Sequence, residues 1–233
     1  MRPQRDPRTR RACATIMALG LSYAATAGAS PGLPATSTST GLQAPERAPS
    51  APVHATLSVR PHDLNVLEHH AARIAGVLRP GLAGRVVRLQ VLGAGGWRTV
   101  AHSLTGLRGG FRLRYMPRRT VSERARVSFA GDAHDTRARH PIGRLNVYRL
   151  AAASWYGGGG GLACGGSLTS ATMGVANKTL PCGTLVTLHY GRRTVRVRVI
   201  DRGPFVAGRE FDLTQATKEA LGFGDTGEVW STA

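Results

Sequence analysis

The sequence predicts an all-β protein, and three observations carry that expectation. Short runs in which apolar residues alternate with arginine recur through the middle of the chain. Glycine-rich turn signals separate those runs at close intervals. A second set of alternating runs, with one short helix signal, fills the C-terminal third.

In the middle region the clearest runs are 86–92, 111–115, 125–129 and 144–148, with turn signals at 93–96, 106–110 and 131–132. Period-two alternation between such turns predicts an antiparallel, immunoglobulin-like β-sandwich over residues 55–150, with Val, Leu, Phe and Tyr inward and Arg outward. Residues 68–73 could start a short helix, but 74–78 reads better as strand. His69 and His70 do not suggest a metal pair, because adjacent side chains on a strand point to opposite faces; they read as solvated.

The last 83 residues, 151–233, form the second expected domain. Its strands are expected at 150–156, 172–176, 185–190, 194–200, 209–213 and 228–232, with a helix from about 214 to 221. Asp212 with Gln215 three residues on reads as a capping box, and Gly222 fits the residue just past the helix end.

The chain of 233 residues carries a formal charge of +18, from 31 Lys and Arg against 13 Asp and Glu. Residues 30–150 hold 18 of the cations and six of the acids, so the basic character belongs to the expected sandwich. Such a field attracts polyanions of any kind. The N-terminus narrows the choice. Arg2, Arg5, Arg8, Arg10 and Arg11 precede a short run of apolar and small residues, and Ala27-Gly28-Ala29 offers an A-x-A cleavage site. Residues 1–29 therefore read as a secretory signal peptide, too short in its apolar core for a membrane span. Residues 30–54, rich in Pro, Ser, Thr and Ala, read as a disordered linker. Export argues against nucleic acid as the partner of the basic region and favours anionic wall polymers.

Loss of the leader removes Cys13 and leaves Cys164 and Cys182, an even number in an oxidising compartment, so a disulfide is expected between them. It would contribute about 3 kcal/mol in the chain-entropy picture. Neither cysteine has a neighbouring His, and the spacing fits no zinc site, so no metal or cofactor is expected.

Candidate chemistry gathers around one strand end. Strict alternation from Val195 puts Asp201 on the side of Val195, Val197 and Val199, at the end of a strand and beside apolar surface. Partial desolvation there favours the protonated carboxyl that a general acid requires. Gly203-Pro204 would fix the turn behind it. A structural role is the competing reading, with Asp201 accepting turn N–H groups or pairing with Arg202. Trp155 and Tyr156 precede five glycines, 157–161, where an aromatic face could stack on a sugar ring and the glycines admit a polymer close to the backbone. A core position for Trp155 is equally consistent with the sequence.

The phrases SWYG at 154–157, NKTLPCGT at 177–184 and DRGPFVAGREFDLT at 201–214 make residues 148–233 similar to the RlpA-like double-psi β-barrels. The cysteine-bearing phrases resemble a secreted, disulfide-containing branch with expansin-like features. The resemblance implies a six-stranded double-psi β-barrel with one short helix, acting on peptidoglycan glycan strands without a cofactor. It also implies functional roles for Asp201 and Asp212, and sugar contacts from Trp155, Tyr156, Asn177, Arg202 and Phe205. Two positions depart from the pattern: relatives carry a Glu where Gly166 stands and a His where Asn177 stands. Two readings stay open. One is a lytic transglycosylase with Asp201 as general acid/base; the other is a non-catalytic, expansin-like wall-binding or wall-loosening protein. Both are secreted or associated with the cell wall.

Overall fold

The computed structural model describes residues 53–60 and 63–233; the expected signal peptide and the linker up to residue 52 lie outside it. The described chain is almost entirely β. Its first strands are β1 (Thr56–Val59), β2 (Asn65–Leu67), β3 (Ala72–Arg79), β4 (Val86–Gly93), β5 (Gly96–Leu104), β6 (Gly110–Tyr115), β7 (Val121–Phe129) and β8 (Ala138–Tyr156). One antiparallel sheet has the order β1-β3-β6. The other runs β8-β7-β4-β5, with β2 added parallel to β8.

Alternation decides which residues face inward. Ile74, Leu78, Phe111 and Leu113 from the first sheet meet Val87, Leu89, Val91, Val127 and Val147 from the second in one buried core. Each such side chain contributes about 1.5–3 kcal/mol by leaving water. The alternate positions of the same strands carry the exposed arginines, Arg73 and Arg79 on β3 and Arg112 and Arg114 on β6.

Three local expectations change. Strand β5 follows the turn at 93–96, where no strand is signalled, because it is a sheet edge paired only with β4 and buries no continuous apolar face. Residues 68–70 form a turn rather than helix or strand; His69 adopts φ 63° and the His70 ring contacts the Glu68 carbonyl. The runs expected at 144–148 and 150–156 are one continuous strand, β8, of 19 residues. Its period-two signal lapses at Leu145 to Tyr148, which are all buried, because packing covers both faces there.

The C-terminal strands are β9 (Gly160–Gly161), β10 (Ser167–Leu168), β11 (Val175–Ala176), β12 (Leu185–Tyr190), β13 (Arg193–Asp201), β14 (Phe211–Thr214) and β15 (Thr226–Ser231), with helix α1 (Gln215–Leu221) between the last two. The order β14-β11-β13-β12-β15-β8, with β8 pairing back onto β14, closes a six-stranded barrel. Val186, Leu188, Val197, Val199, Phe211, Leu213 and Val229 fill it. The strand expected at 172–176 shrinks to two residues, since Thr172 closes a turn on Thr169 and Gly174 bonds to the start of α1.

The capping box is corrected as well. Thr214, not Asp212, caps α1: its side chain accepts from the Thr217 N–H, while Asp212 lies inside β14. Gly222 ends the helix at φ 67°, in the left-handed conformation expected of it. Among the described residues no helix is long and apolar enough to cross a membrane.

Candidate active site at the end of strand β13

The site begins with a register shift. Val175 pairs with Val199, but the next residue, Ala176, pairs with Asp201, so Ile200 is an extra residue in β13. The bulge takes Asp201 out of the phase of Val195, Val197 and Val199, contrary to strict alternation, and sets it level with Ala176. Ala176 pairs on its other side with Asp212, and Asp212 pairs with Ser154 of β8. In-register partners share a face, so Asp201, Ala176, Asp212 and Ser154 form one row across three junctions of the barrel wall.

Asp201 is fixed through one oxygen. Its Oδ1 accepts from the main-chain N–H groups of Ala163 (2.9 Å) and Arg202 (2.8 Å). The Ala163 donor comes from the loop that the Cys164–Cys182 disulfide ties down, with Cα atoms 5.6 Å apart. The Cys164 N–H also bonds to the Ile200 carbonyl, so the loop is bound to the bulge itself. Behind Asp201, Gly203-Pro204 is a cis peptide with Gly203 at φ 133°, a conformation that favours glycine.

Asp212 accepts a hydrogen bond of 2.6 Å from the Ser154 hydroxyl. Two residues along β8 and on the same face, Tyr156 places its hydroxyl out of solvent and without a hydrogen-bond partner of proper geometry. Burial is the main force raising the proton affinity of this phenol; the Asp201 carboxylate adds to it by charge and by an imperfect hydrogen-bonding approach, and Asp212 adds by charge. Tyr156 therefore stays a neutral hydroxyl, within electrostatic reach of both acids, through the physiological range.

The other expected site residues are placed elsewhere. Trp155 alternates with Tyr156 and faces away: its indole N–H donates to Asp225 (2.9 Å), and the Lys218 ammonium lies 3.9 Å from the ring centroid. Asn177 is 4% exposed and its amide is engaged, accepting from the Thr179 and Leu180 N–H groups of its own loop and donating to the Glu210 carbonyl before β14. Arg202 donates to the carbonyls of Asn177 and Leu180 and to Cys182 Sγ, clasping that loop from below. Phe205 stands 84% exposed just past the cis turn. Gly166 takes φ 86°, and the space where a side chain would begin is open.

Ser154 and the Ala163 N–H are the members that sequence reasoning missed. Ser154 had a signal, its i, i+2 relation to Tyr156 on a strand. A main-chain donor has none, since any residue supplies it. Among the described residues no group of three His, Cys, Asp or Glu side chains is placed to hold a metal ion.

Comparison with known proteins falls on this barrel. Residues 150–230 match a double-psi barrel family described as lytic transglycolase. The probable endolytic peptidoglycan transglycosylase RlpA of Aquifex aeolicus is 42% identical over 76 residues, covering 30% of this chain and 33% of that protein. The endolytic peptidoglycan transglycosylase RlpA of Pseudomonas aeruginosa is 38% identical over 95 residues, covering 38% of this chain and 28% of that protein. The chain thus spans about a third or less of the length of these curated relatives. Among solved structures, a Streptomyces papain inhibitor aligns with 36% of this chain and 91% of its own, at 20% identity and a TM-score of 0.30.

Proposed function

From the RlpA-like double-psi β-barrel of residues 150–230, we propose that the protein is exported to the cell wall and acts on peptidoglycan glycan strands as a lytic transglycosylase, with Asp201 as general acid/base. The observation that carries the reading is the setting of Asp201. Two main-chain N–H groups hold Oδ1; Oδ2 would exchange the proton with a substrate, with the neutral Tyr156 hydroxyl nearby and Asp212 level with it.

A glycosidic bond breaks through an oxocarbenium-like transition state in which the leaving oxygen must gain a proton. Asp201 would give that proton, then take one from the 6-hydroxyl of the same sugar as it closes on the anomeric carbon. The product is a 1,6-anhydro ring, and no second carboxylate is needed to activate water. Asp212, fixed by Ser154, would sit as a charge beside the developing cation. Phe205, exposed just past the Gly203-Pro204 turn, would offer an aromatic face to a sugar ring.

A second reading rests on a specific observation. Where the family resemblance implies Glu and His, this chain has Gly166, with no side chain, and Asn177, whose amide is engaged within the protein. Both support a non-catalytic, expansin-like protein that grips glycan and loosens the wall. Digestion of purified peptidoglycan by the wild type and Asp201→Asn separates the two. Anhydro-muramyl ends detected by mass spectrometry with the wild type, and reduced at least about 100-fold in the variant, fit general acid/base catalysis. Sedimentation of both proteins with the wall, without anhydro ends from either, leaves the binding reading in place and removes the catalytic one.

A further inference from the structure

The sandwich half carries a cleft of its own. On the outer face of its larger sheet, a groove of about 400 Å³ is lined by Arg88, Arg126, Arg137 and Arg139, with Gln90 and Ser128 between them. Register explains the cluster. Arg88 on β4 pairs with Ser128 on β7, and Ser128 pairs with Arg139 on β8, so the two arginines flank a small side chain in one row. Arg126 lies two residues along β7 on the same face, opposite Gln90.

Among the described residues these arginines are not neutralised. Three acids of this half are committed elsewhere: Asp132 and Asp135 grip Arg85, and Glu123 pairs with Arg98 at 2.7 Å. Among the described residues, none of the four groove arginines forms an ion pair. Arg126 is the most tightly prepared. Its Nε donates to Gln90 Oε1 at 2.9 Å, and its guanidinium lies 3.9 Å from the centroid of the Trp97 ring. That fixes the plane of the group and leaves both terminal nitrogens for an outside acceptor. Desolvation, followed by repulsion from Arg139, weakens its hold on its proton, as expected of a cation packed beside others without a counter-charge.

The basic surface also extends beyond the groove. Arg124 follows on β7 and pairs with Arg144 on β8, and the charges of Arg124 and of Arg196 on barrel strand β13 both act on Arg144. A point anion would need only the groove, whereas a track of successive guanidinium groups suits repeated charges on one chain. Guanidinium groups also match the geometry of phosphate oxygens.

We propose that this groove and track bind a linear phosphodiester polymer, the groove arginines holding one phosphate and the track holding its successors. A polymer is favoured over a lipid surface because Arg88 and Arg126 are only partly exposed within the concavity, where a flexible chain can enter and a flat bilayer cannot. The proposal is independent of any chemistry in the barrel.

The test is the binding of full-length protein to immobilised poly(glycerol phosphate) at several salt concentrations. Arg88→Ser/Arg137→Ser/Arg139→Ser is compared with Arg73→Ser/Arg112→Ser/Arg114→Ser, which removes equal charge from the exposed face of the other sheet. Matching circular dichroism and melting curves confirm that both variants fold. The groove variant should lose at least about tenfold in affinity and bind with a shallower salt slope, by roughly one to two, while the control stays within about threefold of wild type. Equal losses in both variants would reduce the effect to net charge and overturn the proposal. So would the absence of wild-type binding, or groove-dependent binding to phosphatidylglycerol vesicles but not to the polymer.

Discussion

Asn177 and Asp201 show how little residue type reveals about a role. Each is a short polar residue in a phrase that carries the resemblance to the RlpA-like barrels, but the barrel uses them differently. The Asn177 side chain accepts two N–H groups and donates to a carbonyl while almost fully buried, so its amide holds the 177–182 loop together. Asn177→Ala should cost about 1–3 kcal/mol by leaving buried groups unpaired, read as a lower denaturant midpoint with an unchanged slope. A midpoint within error of wild type would show that the loop does not depend on it. Asp201, by contrast, is held through Oδ1, and among the described residues no hydrogen bond of good geometry reaches its Oδ2. The sequence carried Asp201 as a candidate but could not separate the two cases, because hydrogen-bond commitment depends on which loops come to lie nearby.

At the scale of elements, the seven-residue helix α1 is held by tertiary contacts more than by its own propensity. Thr214 bonds to the Thr217 hydroxyl and to the Gly174 carbonyl as well as capping the helix, so β14, α1 and the approach to β11 share one buried polar node. Thr214→Ala should lose about 1–2 kcal/mol and speed amide exchange in the first turn of α1. Asp212→Ala should leave that exchange unchanged; faster exchange would restore Asp212 as the cap. The helix and its glycine stop were legible in the sequence, whereas the cap was displaced by two residues. The D-x-x-Q spacing is a local signal, but β14 continues through Asp212 because its ladder with β8 and β11 is already formed there.

At the scale of the whole molecule, β8 feeds both cores, and Tyr148 on it stacks with His189 of β12 and contacts Trp230 of β15. Burial lowers the His189 pKa and raises that of Tyr148 to about 12. The signs follow from linkage. His189 contributes stability that is present above its ordinary pKa of about 6.5 and is lost as pH falls through the lower folded value. Tyr148 contributes stability that is present below about 10 and is lost as pH rises towards 12. Melting temperature should be flat between roughly pH 7 and 9.5 and fall on either side. His189→Phe should soften the fall from pH 6.5 to 5, and Tyr148→Phe the fall above pH 10. Unchanged limbs in these variants would place the pH dependence elsewhere.

The β class, the turns, the outward arginines of the middle region and the phrases that mark the barrel are all legible in the chain before it folds. They are so because alternation, glycine punctuation and motif spacing are local records of which face is buried. The disulfide expected from the cysteine count is formed. Strand pairing in the folded barrel makes Ile200 a bulge and so brings Asp201 level with Asp212. The tertiary structure alone placed Tyr156 near both acids, turned Trp155 away, and gathered around one groove four arginines that form no ion pair among the described residues. Register, bulges and charge balance are properties of strand pairs and neighbouring loops, so no single segment of the chain contains them.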